Sequence, residues 1–275
     1  MVEHEQPLTT WGAGTQASSA ARLDNVVLKD AGPWASTVLA LLRHLERVGF
    51  EGAPRVVGDG TAPDGRLTLT YVVGDSVHPR AWQDNECRAV GALLRSAHDA
   101  TDSFQQPADA VWASSWLHGI GNEGDLVVGH GDAAPWNIVG RGARPEVLID
   151  WDLAGPIERL TEVAYAVWLN AQLHDDDIAT IQSLPPVEVR ARQARDIVDG
   201  YGLGEPQRLV LVDRMVEVAL AGVRADADEN NVNPESAAAV TASGYPLLWS
   251  VTWRARSAGW MLRNKRLLTE ALTEA

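Results

Sequence analysis

The sequence predicts an α+β protein of two lobes, a small β-rich amino-terminal lobe over residues 1–75 and a larger, mostly helical lobe over residues 76–275. Three observations carry this expectation. Up to Gly74 the chain is built of short apolar runs punctuated by Gly, Asp and Pro, the pattern of strands and turns. After Pro79 the apolar residues recur at three- and four-residue steps, the period of one helix face. Set among the helical stretches is "VVGHGDAAPWNIVGRGARPEVLIDWDLAGP", Val127 to Pro156, in which a histidine, three aspartates and an asparagine lie between apolar runs.

In chain order, "SSAARLDNVVLK" reads as two short strands joined at the polar pair Asp24-Asn25, and "GPW" breaks the run. A helix is expected from Ala35 to Val48, since Val38, Leu41, Leu42, Leu45 and Val48 share a face, with Gly49 closing it. "APRVVGDGTAPDGRLTLTYVVGD" reads as a hairpin whose second strand runs from Leu67 to Val73 and stops at Gly74 and Asp75. "WQDNECRAVGALLRSAHDA" puts Val90, Leu93, Leu94 and Ala97 on one helical face. Short strands are expected around Val127-Val128, Ile138-Val139 and Val147 to Ile149. From Arg159 onward the pattern is helical, with breaks at Leu184 to Pro186, Gly200 to Pro206 and "NVNPES". No internal repeat or low-complexity tract is present. Two lobes joined over residues 74–79 leave a cleft between them, a usual place for a ligand.

Composition narrows the class. With 275 residues, 45% hydrophobic and 22% charged, the chain has the make-up of a folded globular protein. No charged and apolar leader and no eighteen-residue apolar run occur, so neither a signal peptide nor a membrane span is expected. The single cysteine, Cys87, has no partner for an internal disulfide, which fits a reducing cytoplasm. A net charge of −14 argues against a nucleic-acid partner and is compatible with a cationic small molecule. Eleven tryptophans against two phenylalanines make tryptophan the main aromatic of the core, with Trp249, Trp253 and Trp260 at helical steps read as packing, and Tyr165, Trp168 and His98 as interior.

The polar segment has the spacing H-x-D-x-x-x-x-N, from His130 through Asp132 to Asn137, followed by Asp150 at the end of the apolar run "VLID". Phosphoryl transfer asks for these groups: a carboxylate to orient an acceptor hydroxyl, and two oxygen ligands for the Mg²⁺ that accompanies the nucleotide phosphates. Asp132 suits the first task, and Asn137 and Asp150 the second. His130 reads as a brace for the loop backbone. Asp152 shares a face with Asp150 if the strand continues, and either joins the metal shell or ties down the next turn.

This segment resembles the catalytic loop and metal-binding segment of the aminoglycoside phosphotransferase and choline kinase superfamily, small-molecule kinases with a protein-kinase-like fold. "RLTEVAYAVW" is similar to the helix that follows in such enzymes. The resemblance is strong over residues 127–168 and fades toward the carboxyl end. It implies ATP- and Mg²⁺-dependent phosphorylation of a small-molecule hydroxyl, an aminoglycoside-like antibiotic being one acceptor class and resistance one consequence. By the same resemblance Lys29 neutralises the nucleotide phosphates and pairs with Glu46, and the backbones of Tyr71 and Val73 hold the base. Gly12 and Gly14 in "WGAGTQAS" let backbone N–H groups approach the phosphates, although the family's fuller glycine-rich loop is not evident. The acidic runs "HDDD" (His174 to Asp177) and "DADEN" (Asp226 to Asn230) are either solvated helix ends or receivers of ammonium groups. The alternative to an enzyme is a catalytically silent, kinase-like binding or immunity protein that sequesters a small compound or peptide.

Overall fold

Asp24 takes a left-handed backbone, φ 52°, a conformation that Asp and Asn tolerate better than most residues. It turns the chain between two antiparallel strands in the computed structural model, which describes residues 6–8, 20–121, 125–141, 144–233, 235–236 and 247–274. The first strands are β1 (Gln6–Leu8), β2 (Ala20–Leu23) and β3 (Val26–Lys29). Helix α1 (Ala35–Arg47) follows, with Val38, Leu41, Leu42 and Leu45 buried, while Val48, expected on the same face, lies just past the helix end and is 45% exposed. Gly49, at φ 80°, ends it and donates to the Glu46 carbonyl. The hairpin β4 (Val56–Thr61) and β5 (Leu67–Thr70) completes a five-stranded antiparallel sheet of order β1-β2-β3-β5-β4.

β5 is shorter than the expected Leu67 to Val73. Its partner β3 begins at Val26, which lies opposite Thr70, and one further bond, from the Tyr71 N–H to the Asn25 carbonyl at 2.7 Å, exhausts the pairing. The chain then leaves this sheet. β6 (Asp75–Ser76) joins a second one, pairing with a strand at Ile138–Arg141 that in turn pairs with one at Arg144–Leu148.

Helix α2 (Asp84–Thr101) starts at a capping box in which the Gln83 N–H donates to Glu86. Next come β7 (Leu126–Gly129), β8 (Ile138–Arg141), β9 (Arg144–Leu148) and β10 (Gly155–Glu158), the last pairing antiparallel with β7. The remainder is helical: α3 (Arg159–Asn170), α4 (Asp176–Ile181), α5 (Val187–Tyr201), α6 (Glu205–Glu229), α7 (Leu247–Arg263) and α8 (Lys265–Thr273). The fold is therefore the two-lobed α+β arrangement that the sequence predicts, a small antiparallel sheet followed by a helical majority. No described helix is long and apolar enough to cross a membrane.

The core of the helical lobe is built around α3, every residue of which from Thr161 to Asn170 is buried. Trp168 and Trp260 are fully enclosed, and Trp253 stacks on Trp168 with centroids 5.4 Å apart. Trp249, read from the sequence as packing, is 39% exposed.

Helices α2 and α5 cross closely because glycine stands at both contact points. A Cβ on Gly91 would lie 1.9 Å from the Ile197 carbonyl oxygen, and one on Gly200 would lie 2.0 Å from the Arg88 carbonyl oxygen. Backbone atoms cannot swing aside, so Gly91→Ala is expected to destabilise the protein by about 1–3 kcal/mol of overpacking, offset only in part by the better helix propensity of alanine. At Gly259 in α7 the nearest atom to an added Cβ is 3.8 Å away, and Gly259→Ala should stabilise by roughly 0.5–1 kcal/mol. Urea melts of the two variants check the opposite signs.

Candidate active site

The loop between β7 and β8 is locked in place by its first residue. The His130 Nδ1 accepts the Asp132 N–H at 3.2 Å, so the ring proton resides on Nε2, which donates to the Ile149 carbonyl at 2.9 Å. The Ile149 N–H in turn donates to the Asn137 carbonyl at 2.9 Å. The imidazole thus braces the loop and fastens it to the segment that carries Asp150. Gly131, at φ 78°, is required here: an added Cβ would sit 1.9 Å from the Leu153 carbonyl oxygen.

Both oxygens of Asp132 are engaged. Oδ1 accepts the Tyr165 hydroxyl at 2.5 Å and Oδ2 accepts the Asn137 side-chain N–H at 2.8 Å. Burial raises the Asp132 carboxyl above the ordinary range, against the pull of the Tyr165 hydrogen bond, a direction that strengthens it as a proton acceptor. Because Asn137 spends its amide nitrogen on Asp132, its carbonyl oxygen is the atom able to bind a cation.

Asp150 does not lie on a strand. β9 stops at Leu148, Asp150 takes a left-handed backbone at φ 65°, and a short 3-10 turn spans Trp151–Leu153. Asp150 and Asp152 are therefore not neighbours on a strand face, yet both carboxylates meet on Lys29. Its ammonium pairs directly with Asp150 and, at 2.9 Å, with Asp152. Lys29 is only 5% exposed. Burial alone would lower its pKa, but the two carboxylates outweigh it and hold the value above normal. Burial and the neighbouring Asp150 raise the Asp152 carboxyl despite Lys29. A left-handed aspartate is strained by about 1–2 kcal/mol, and such strain gathers where a side chain has to be aimed.

The structure brings together Asp132 with Asn137, and Lys29 with Asp150, while charge repulsion from Asp150 acts on Asp132. Glu46 is not among them. It is exposed on the last turn of α1, and the ion pairs of Lys29 go to Asp150 and Asp152 instead. The reason is position along the axis: Leu39 and Leu42, seven and four residues earlier on the same side, are buried, but the buried run ends at Leu45 and the last turn from Glu46 to Gly49 is exposed. Tyr71 and Val73 lie on the segment after β5. The Tyr71 N–H is spent on Asn25, the Arg22 guanidinium covers its ring at 3.8 Å, and Val73 is 59% exposed. Gly12 and Gly14 lie outside the described residues.

Two groups escape a reading of the sequence. The Tyr165 ring is interior as its pattern indicates, but its hydroxyl reaches Asp132. Glu162, one turn earlier on α3, is fully buried and accepts the Gly131 N–H at 2.6 Å and the His98 Nε2–H at 2.7 Å. The other nitrogen of His98 meets the Tyr201 hydroxyl at 2.8 Å. Burial alone would raise the Glu162 carboxyl, but His98 and the Gly131 N–H overcome that and hold it below the ordinary range. The one local signal is a lone acid within an apolar helical run.

The acidic runs of the helical lobe are largely neutralised from within. Asp175 pairs with Arg256 and Arg263, and Asp177 with Arg256, while Asp176 accepts the Trp260 indole N–H at 3.0 Å. Asp226 is buried against Arg254 and Ser250, and Asp228 pairs with Arg224. Among the described residues no three His, Cys, Asp or Glu side chains converge on a metal position. The amide oxygen of Asn137 and the carboxylate of Asp150 are hard oxygen donors, which fit a Mg²⁺ that takes the rest of its shell from phosphate and water.

The model of the phosphotransferase enzyme family matches residues 7–209. The trifolitoxin immunity protein of Rhizobium leguminosarum bv. trifolii is 44% identical over 259 residues, covering 94% of this chain and 97% of that protein. Among solved structures, an amicoumacin kinase in complex with AMP-PNP, Ca²⁺ and Ami superposes with a TM-score of 0.62 at 11% identity, over 96% of this chain and 88% of its own. A choline/ethanolamine kinase family protein from Mesorhizobium loti gives 0.59 at 13% identity, over 99% and 94%.

Proposed function

From the premise that this chain belongs to the phosphotransferase enzyme family, we propose that it transfers the γ-phosphoryl group of ATP to a hydroxyl of a small toxic compound. The observation that carries the reading is the meeting of Asp132 with Asn137 and of Lys29 with Asp150 across two segments stitched together by His130 and Ile149. Asp132 receives the acceptor proton as the hydroxyl oxygen forms its bond to the γ-phosphorus. The bond from that phosphorus to the β–γ bridging oxygen breaks, and ADP leaves with the electron pair. Lys29 neutralises phosphate charge. Asn137 and Asp150 would hold Mg²⁺, which supplies further charge neutralisation when bound. With its N–H spent, Tyr71 would meet a base through its carbonyl, beside the Val73 backbone, and the turn at Gly12 and Gly14 would cover the phosphates. The lobe boundary falls near residue 75 in this reading.

The name of the 44% identical relative supports a toxic acceptor and hence a resistance role. The internal pairing of the acidic runs favours recognition through hydroxyl and apolar surface over capture of a polycation. Incubation with γ-labelled ATP, Mg²⁺ and a panel of aminoglycosides, hydroxylated peptides and amino alcohols should label a member of the panel. Tight binding of a panel compound with no transfer, unchanged by removing Mg²⁺, would establish a sequestering immunity protein instead. Lys29→Ala is expected to weaken ATP binding about 10- to 100-fold, the scale of a lost charge-assisted hydrogen bond; titration calorimetry reads it directly.

A further inference from the structure

We infer that Tyr165 is a positioning residue of the transfer reaction, its hydroxyl fixing the carboxylate of Asp132 in the orientation that receives the acceptor proton. The inference rests on the reading of Asp132 given above. The hydroxyl donates to Oδ1 at 2.5 Å while Asn137 donates to Oδ2 at 2.8 Å, so the carboxylate is held at both ends and cannot rotate without breaking a bond. A carboxylate offers about four lone-pair directions, and these two donors leave the others for an acceptor hydroxyl.

The tyrosine is itself immobilised. It is 8% exposed, with Trp116 edge-on at 6.0 Å and Trp168 at 6.3 Å between centroids, and Trp168 is stacked in turn on Trp253. Phenylalanine would fill that space equally well. The hydroxyl is the only part of the side chain that packing does not account for, and a buried hydroxyl needs a partner. Its partner is the one carboxylate in the loop that bears on the chemistry. Glu162 and Tyr165 stand three residues apart on α3, hence on the same face. One helix therefore fixes the loop backbone at Gly131 and the side chain at Asp132.

Tyr165→Phe tests this, with water as the acceptor and ATP with Mg²⁺ as the probe. The expected result is a fall in kcat of about 10- to 100-fold, the scale of a misplaced reacting group, with KM for ATP changed by no more than about twofold and a still cooperative melting transition, lowered only by the loss of one hydrogen bond. Proton NMR gives a reading that needs no turnover: wild type should show a downfield, slowly exchanging tyrosine hydroxyl resonance that is absent in Tyr165→Phe and lost in Asp132→Ala. An active wild type with an equally active Tyr165→Phe, or a wild type without the protected hydroxyl, overturns the inference alone. A wild type that shows the hydroxyl but transfers phosphate neither to water nor to any panel compound overturns the transfer reading, and the inference falls with it.

Discussion

Asp132→Ala is expected to lower phosphoryl transfer by about 10²–10⁴-fold, the range for loss of a positioned general base. The carboxylate is the only acid that Tyr165 and Asn137 both hold, and burial keeps its affinity for a proton above that of a free aspartate. Alanine also strands the Tyr165 hydroxyl and the Asn137 amide, at a cost of about 1–3 kcal/mol for each unsatisfied group. Asp132→Asn separates the effects, since its amide retains an oxygen for Tyr165 but cannot take a proton. Both variants should lose transfer while still binding ADP. Mass spectrometry of the acceptor product, beside ADP titration, makes the comparison; an Asp132→Asn variant with more than a tenth of wild-type turnover would rule out the role given to this residue.

The second large effect is on stability. Glu162→Ala is expected to cost several kcal/mol, about 1–3 kcal/mol for each buried donor left without an acceptor. His98 and the Gly131 N–H would lose their acceptor in a place closed to water. The pH dependence has a definite sign. A carboxyl held below its ordinary value in the folded state contributes stability that is complete above the unfolded value and is lost as pH falls through the folded one. Wild type should therefore shed this contribution on acidification past the ordinary carboxylate range, and the gap between wild type and Glu162→Ala should narrow there. Urea denaturation at neutral and acid pH measures it, and a gap that widens toward acid pH contradicts the assignment.

What the sequence made legible follows from which forces are local. The α1 and α2 faces, the Asp24-Asn25 turn and the spacing of Asp132 and Asn137 are set within a few residues, and their patterns are plain. β6 and β10 are not, because each is a strand only through a partner far along the chain, Asp75 against Gly140 and Gly155 against Gly129. For Glu46 the resemblance implies a partner of Lys29, but the residue lies past the end of the buried run of α1, in a last turn that is exposed. Alternation would make Asp150 and Asp152 neighbours on one face of a strand. They do meet on one lysine, but through a left-handed residue and a 3-10 turn that no alternation pattern reveals. For Tyr165 the apolar pattern places the ring correctly and says nothing of its hydroxyl. The acidic runs look like an open anionic surface in the sequence because the arginines that neutralise several of them lie on α7, up to 88 residues away.

Since the Gly131 amide is bonded to Glu162, within the stretch of α3 from Thr161 to Asn170 that is buried at every residue, that loop cannot melt by itself. Freeing it means unseating the innermost part of the larger lobe, so the loop has the rigidity of the interior although the Asp132 it carries is only partly buried.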